Sequence, residues 1–309
     1  MLTFSKLGEK GNLGNQLFQI ASVIGIALRN NQQYSFPRWS YSQYFEKPLP
    51  VNPGIDTFVK IDEKTFHHYE WNLDDGNYDL NGWLQSEKYF ETADIKEILA
   101  FNNVFKQDLL NRYSFLFQKK SILISVRRGD FVNHPYYFQL SYKYYFLALI
   151  ENFPDWEQRT ILFTSDDIAY CKYHFSFIDT AFFLEGLSPV EQLVLGSQCD
   201  DFIISNSTFS WWIAWIGEKT NTKVIRPISN FRGSFAKMNN DSDYFPERWI
   251  CFSDTLYRIP AKYFSLKMKG YSYKVMADIK FKSRQLLNSI KKTIKKYAYV
   301  VIDKLPKSN

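Results

Sequence analysis

The sequence predicts an α/β protein of two domains followed by a basic helical tail. Three observations predict it: buried-strand runs alternate with helical segments, polar residues close those runs, and cations crowd the last fifty positions. At 309 residues the chain exceeds one typical domain. We divide it into an N-terminal α/β domain over 1–117, a second α/β domain over 118–258, and a tail over 259–309.

The opening reads as strand, Gly-rich turn and helix. Leu2 to Leu7 is strand-like, Gly11 to Gly14 breaks it, and Asn15 to Arg29 carries Leu17, Ile20, Ala21, Ile24 and Leu28 at helical spacing. Residues 37–75 are rich in Tyr, Pro and Lys and predict surface loops with short elements. Tyr78 to Leu84 predicts a strand, Ser86 to Phe90 a helix start, and Lys96 to Leu110 a helix. The second domain is clearer. Ser121–Val126, Thr160–Thr164, Thr180–Leu184, Phe202–Ile204 and Lys223–Ile225 predict strands, with helices over Ser141–Glu151, Ser188–Gln198 and Phe209–Gly217. Ser188-Pro189-Val190-Glu191 has the form of a capping box with Pro at the first helical position. Strands alternating with helices imply a parallel sheet, whose ligands sit at the strands' carboxyl ends.

Composition excludes several classes. The three cysteines, Cys171, Cys199 and Cys251, show neither disulfide nor zinc spacing, which suits a reducing cytosol. Met1 to Lys6 lacks a signal-peptide core, and the apolar stretch Leu17 to Leu28 is too short to span a bilayer, so a signal-anchored lumenal protein is not expected. No Gly-x-Ser-x-Gly, Walker or HExxH pattern occurs. The net charge is +6, yet Lys262 to Asn309 holds thirteen Lys or Arg residues against Asp278 and Asp303. The body before it is therefore net acidic, which argues against nucleic acid as its ligand. Aromatic residues make up 18% of the chain; such rings stack on sugars and bases, and equally fill cores.

The strand ends carry the candidate chemistry. Gly11-Asn12-Leu13-Gly14-Asn15-Gln16 lets backbone approach a ligand, or is an ordinary capped turn. Arg127 and Arg128 could grip a diphosphate by bidentate hydrogen bonds, or one could be solvated while the other pairs with Asp130. Asp166 and Asp167 could accept from ribose or guanine, or could cap a helix. Ser205-Asn206-Ser207-Thr208-Phe209-Ser210 places four hydroxyls at a helix start, a phosphate cradle that capping alone does not explain. Asp241-Ser242-Asp243 has the form of a metal-binding triplet, but no His or Cys cluster supports it, and no metal is expected.

In order along the chain, these segments resemble the α-1,2-fucosyltransferases, glycosyltransferase family 11. The resemblance rests on Gly11–Gln19, Leu80–Phe90 with its Asn-Gly-Trp-Leu-Gln core, Val126–Phe131, Phe163–Asp167, Ser205–Trp212 and Asp243–Trp249. It implies a GT-B fold, with two Rossmann-like domains facing across a cleft, and metal-independent, inverting transfer of L-fucose from GDP-fucose to O2 of a galactose. It places Arg127 on the β-phosphate, Arg128 in support of the nucleotide or fold, and Asp166 on the guanosine. Ser207, Thr208 and Ser205 would hold the diphosphate, and Asn15 and Gln16 would face the donor from the other domain. Asp130 is our candidate for the base, as the carboxylate nearest Arg127 in sequence. The family usually has His two residues before the first Arg; here Ser125 stands there. That departure leaves room for a non-catalytic nucleotide-sugar or glycan-binding protein, and a different GDP-sugar is a further alternative.

From Ala277 to Ile302, apolar residues form a helical stripe flanked by Lys and Arg. A helix of this kind docks on an anionic membrane or packs on the body with its cations solvated. The first alternative implies a cytoplasmic enzyme, peripheral on the inner face of a bacterial membrane, beside a lipid-linked acceptor of a surface polysaccharide such as O-antigen or capsule.

Overall fold

The computed structural model describes residues 1–54 and 57–302. A small parallel sheet holds β1 (Leu2–Thr3), β2 (Val59–Asp62) and β3 (Tyr78–Asn81) in the order β1-β3-β2. Helix α1 (Leu13–Arg29) packs beside it, buried along nearly its whole length. Helices α2 (Thr92–Ile98) and α3 (Asn103–Arg112) follow. The expected single helix over 96–110 is thus two. Asn102 caps α3 by accepting from the Phe105 amide at 3.1 Å, and Phe101 turns inward to stack on Phe45. The first strand is also shorter than expected, because the Leu7 amide turns back to the Phe4 carbonyl at 3.0 Å.

The second sheet comprises β4 (Ser121–Val126), β5 (Thr160–Ser165), β6 (Ala181–Phe183), β7 (Asp201–Ile204), β8 (Val224–Pro227) and β9 (Ile250–Phe252). All neighbours are parallel, in the order β6-β5-β4-β7-β8-β9. Counted from β4 this is 3-2-1-4-5-6, the Rossmann order, and the direction of winding reverses between β4 and β7. Helices α4 (Tyr142–Asn152), α5 (Ile168–Phe175), α6 (Pro189–Gly196), α7 (Thr208–Gly217) and α8 (Gly233–Met238) connect or flank the strands. Every residue of β4 and β7 is buried, as a central parallel strand covered on both faces requires. The capping box at Ser188 and Glu191 forms as the sequence predicts. Strands β2 and β9 and helix α8 have no counterpart among the sequence expectations. Residues before Ile259 form one compact unit that includes both sheets. This is the GT-B arrangement of two α/β halves around a cleft, with a reduced first half.

The halves meet through aromatic rings and one close helix contact. Phe18 of α1 lies 4.5 and 5.1 Å from Trp211 and Trp212 of α7, and Phe90 lies 5.9 Å from Trp212. These tryptophans are fully buried. Much of the aromatic content is therefore core. At the rim, Arg248 donates to both Glu87 and Glu218, tying the first half to the end of α7. Gly14 is the tightest point. A Cβ there would sit 2.5 Å from the Phe209 amide nitrogen and 2.6 Å from the Thr208 carbonyl carbon. No side chain can retract to relieve that contact, because backbone makes it.

From Ile259 the chain forms a second unit, whose main element is α9 (Phe264–Ile302). It starts thirteen residues before the helix that the sequence predicts. Phe264, Met268, Tyr271, Val275, Ile279, Leu286 and Ile290 are exposed along it, as are Lys267, Lys274, Lys282 and Lys291. The side chains of Lys280, Arg284, Lys292, Lys295 and Lys296 lie outside the described residues, as do those of Ile294, Tyr297, Ala298 and Val301. Among the described residues, no helix is long and apolar enough to cross a membrane.

Gly14→Ala is expected to destabilise the protein by roughly 1–3 kcal/mol, the usual range for overpacking against an immovable wall. Thermal melting should report this as a loss of several degrees.

Candidate active site

A cavity of about 870 Å³ opens at the carboxyl ends of both sheets. The larger sheet supplies residues that follow β4 (Arg127, Asp130), β5 (Asp166) and β7 (Asn206, Ser207, Thr208). The reversal between β4 and β7 thus falls between Arg127 and Ser207, where an open α/β sheet leaves a crevice for ligands. The first half contributes the start of α1 (Asn12 to Asn15) and the segments after β2 (Glu63 to Phe66) and β3 (Trp83, Gln85).

Helices α1 and α7 begin at this cavity, and the start of α6 lines it through Leu187, Pro189 and Gln192. Ser207 is the N-cap of α7, its hydroxyl accepting from the Phe209 amide at 3.3 Å. No side chain caps the start of α1 at Asn12. Both helix starts present amides and the positive end of a dipole, which favour an anion.

Arg127 is held between two carboxylates. Its Nη2 and Nε donate to Asp130 Oδ1 at 2.6 and 3.1 Å, and its Nη1 lies 3.2 Å from Asp166 Oδ2. The guanidinium also lies 5.4 Å from the Phe131 ring centre. Asp166 Oδ1 accepts the Arg128 amide at 2.8 Å, and Gly129 makes room for it, since a Cβ there would meet Asp166 Oδ2 at 2.4 Å. The Gly-Asp turn after β4 thus fixes the direction of Arg127. Asp167 caps α5, accepting from the Tyr170 amide at 3.1 Å.

Several residues expected in the site lie elsewhere. Arg128 turns its guanidinium onto the Tyr170 ring at 3.8 Å and towards Asp167 at 3.5 Å, outside the cavity lining. Gln16 accepts from Trp39 Nε1 at 2.8 Å and donates to the Gly11 carbonyl at 2.9 Å, so its amide braces the turn instead of facing a donor. Ser205 is fully buried, its hydroxyl 2.7 Å from that of Ser210, and it too is absent from the lining. Asp130 is the partner of Arg127, not of Arg128. Asn15, Asp166, Ser207 and Thr208 do line the cavity, and Asn15 Oδ1 accepts from Gln85 Nε2 at 2.8 Å.

The aspartates of the Asp241-Ser242-Asp243 triplet organise loops. Asp241 accepts from the Asn230 and Phe231 amides at 2.8 and 3.0 Å, shaping a loop that lines the cavity. Asp243 accepts from the His68 amide at 2.7 Å and lies 3.0 Å from His67 Nδ1. Sequence reasoning missed Glu63, Phe66, Asn206 and Asn230 as lining residues. The strand before Glu63 alternates apolar and polar residues for only four positions, Val59 to Asp62, inside a stretch otherwise typical of loops. Asn206 sits inside the hydroxyl cluster, where its neighbours carry the plainer phosphate-binding chemistry.

Residues 27–253 match the family model described as Glycosyl transferase family 11. The chain belongs to this family. Among curated relatives of the family 11 transferase, an α-1,2-colitosyltransferase of Escherichia coli is 25% identical over 281 residues, covering 78% of this chain and 96% of its own. The O-antigen biosynthesis glycosyltransferase WbnK of Escherichia coli is 30% identical over 162 residues, 47% of this chain and 51% of its own. A galactoside 2-α-L-fucosyltransferase of Caenorhabditis elegans is 24% identical over 281 residues, 78% and 76% of the two chains.

Ser125, where the family's usual pattern has His, has a defined structural use in this transferase. Its hydroxyl lies 2.7 Å from that of Ser210, which also meets Ser205 at 2.7 Å. This buried chain of three hydroxyls joins β4, the segment after β7 and α7, with Ser125 and Ser210 at the cavity wall and Ser205 behind them. Ser210→Ala would leave the other two without their shared partner. It should cost about 1–3 kcal/mol in urea unfolding, the penalty for stranding buried polar groups.

Proposed function

We propose that this transferase moves L-fucose from GDP-fucose to O2 of a galactose residue, inverting the anomeric centre. The observation that carries this is the fixed Arg127 guanidinium beside the start of α7, at the point where the sheet reverses direction. Leaving of GDP builds negative charge on the β-phosphate. A preorganised cation and helix amides stabilise that charge without moving, and such contacts are worth orders of magnitude in rate. Names of relatives that transfer fucose or colitose through α-1,2 linkages support the reaction class. On this assignment residues 118–258 hold the donor and residues 1–117 face the acceptor.

In this scheme Arg127 neutralises the β-phosphate. Ser207 and Thr208 offer hydroxyls and amides to the diphosphate, Asp166 faces the guanosine while it steadies Arg127, and Asn15 approaches the donor from the α1 side. Arg127 and the helix starts do the work that a divalent cation does in other transferases, so we propose that no metal is required. Turnover should be unchanged by EDTA. Arg127→Ala should lower kcat for GDP release in the presence of a galactoside by roughly 10²–10³-fold, the usual loss on removing one transition-state donor.

The colitosyltransferase relative, matched over nearly its full length, favours one second reading in which the donor sugar lacks the 3-hydroxyl. Competition between GDP-fucose and GDP-colitose for one galactoside separates the two, with the preferred donor having the higher kcat/KM. If no GDP-sugar yields galactoside-dependent GDP release, a binding protein on this fold is the better description.

The exposed apolar line on α9 and its lysines support a further part of the proposal: the tail rests on an anionic cytoplasmic leaflet, near a lipid-linked precursor of a bacterial surface polysaccharide. The O-antigen relative supports that acceptor class. Each cation near such a surface contributes about 1 kcal/mol. The full chain should sediment with phosphatidylglycerol vesicles at low salt, and a chain ending at Pro260 should stay in the supernatant. Equal sedimentation of both removes the tail from membrane binding.

A further inference from the structure

Inverting transfer needs a base on the acceptor side, and the cavity offers few. Among the described residues, its carboxylates are Glu63, Asp130 and Asp166. Asp130 and Asp166 both pair with Arg127, at 2.6 and 3.2 Å. Protonating either would undo the pair that aims the guanidinium. Both also follow strands of the donor sheet, whereas an inverting nucleophile must approach the face opposite the leaving group.

Glu63 is placed otherwise. It follows β2 in the first half, and backbone amides hold it: Trp83 donates at 2.7 Å to Oε2 and Leu84 at 3.0 Å to Oε1. The turn that makes this cradle is built for it. A Cβ at Gly82 would meet Glu63 Cβ at 2.5 Å and Oε2 at 2.7 Å. Leu84 adopts φ 52°, a left-handed conformation that costs a non-glycine residue about 1–2 kcal/mol. It is held there from both sides, its amide by Glu63 and its carbonyl by the Ser22 hydroxyl at 2.8 Å. Each Glu63 oxygen accepts one amide and keeps a lone pair for another proton. Beside it Trp83, 41% exposed, also lines the cavity, with Lys10 Nζ 4.9 Å from its ring centre; an indole is the kind of ring on which a sugar stacks.

We infer that Glu63 is the base that takes the proton from the acceptor hydroxyl, with Trp83 carrying the acceptor sugar, in place of the candidate Asp130. The inference rests on the fucosyl-transfer proposal above. In the step, the acceptor O2 bonds to C1 of fucose as its O–H electron pair is released, and the proton passes to the Glu63 carboxylate. The C1–O bond to the β-phosphate breaks, and its electron pair leaves on GDP beside Arg127. Burial pushes the Glu63 carboxyl above the ordinary range, with Asp243 adding to the rise and the Trp83 and Leu84 amides and Lys10 opposing it. Asp62 and Lys60 face the same Lys10, and Tyr69 and Tyr89 feel the Glu63 charge. A raised carboxylate is a stronger base near neutral pH. Activity needs its ionised form, so transfer is present above this pKa and falls as pH drops through it.

The test compares two nucleophiles on the full chain with saturating GDP-fucose. A galactoside must lose a proton to react, whereas azide attacks C1 as an anion and gives fucosyl azide and GDP. Glu63→Gln should lower galactoside transfer by about 100-fold or more, while fucosyl azide formation stays within about threefold of wild type. Equal loss with both nucleophiles means a structural role and overturns the assignment, as does retention of galactoside transfer. A second readout needs no variant. In the wild type, over the pH range in which azide is still an anion, galactoside transfer should fall on the acid side while azide transfer stays level, and an acid limb shared by both within that range overturns it. Failure of the wild type to release GDP with any galactoside would count against fucosyl transfer itself, a different outcome from an active Glu63→Gln.

Discussion

The site depends on two helices starting at the same place. The first turns of α1 and α7 come so close at Gly14 that only a hydrogen fits between that Cα and the Thr208–Phe209 backbone. The two halves of the protein are joined there, and the Phe18, Trp211 and Trp212 rings behind the contact keep both helix axes in place. Two sets of helix-start amides therefore open into one cavity, one from each half. A side chain at position 14 would push apart the two helix starts that line the cavity.

On the proposed assignment, electrostatics then explain how a body of net negative charge would hold a nucleoside diphosphate. The sequence before the tail is acidic, so bulk charge does not draw the donor in. Attraction has to be local, from one guanidinium and from helix dipoles in a partly enclosed space where water screens poorly. The Asp130 and Asp166 carboxylates limit the freedom of Arg127 instead of leaving it to swing in solvent. The glycine at 129 exists for that arrangement, because it lets Asp166 reach both Arg127 and the Arg128 amide.

The larger sheet was legible in the sequence because buried parallel strands are continuous apolar runs ending in polar turns. The apolar run Ser121–Val126 coincides with β4 to the residue, and the Ser188 capping box has only one geometry to adopt. The first half was harder. Strand β2 is mostly exposed and only four residues long, so the brief Val59-Lys60-Ile61-Asp62 alternation is a weak signal among loop residues, and Glu63 is hidden with it. At the site, sequence order places Arg127, Asp166, Ser207 and Thr208 on strand ends but cannot say which way a side chain turns. Arg128 faces away because Tyr170 offers it a ring. Gln16 points at Trp39 because the next turn of α1 is already in the core. Ser205 is drawn behind the cavity wall by Ser210. The resemblance to the fucosyltransferases was carried by motif order, and the Asn81-Gly82-Trp83-Leu84-Gln85 segment acquires a physical purpose only when its amides are seen around Glu63.

The most direct measurement is a crystal structure of the protein with GDP. It should show the β-phosphate within hydrogen-bonding distance of the Arg127 guanidinium and of the backbone amides at Ser207 or Thr208. A diphosphate bound away from Arg127, or GDP excluded from this cavity altogether, would contradict the account.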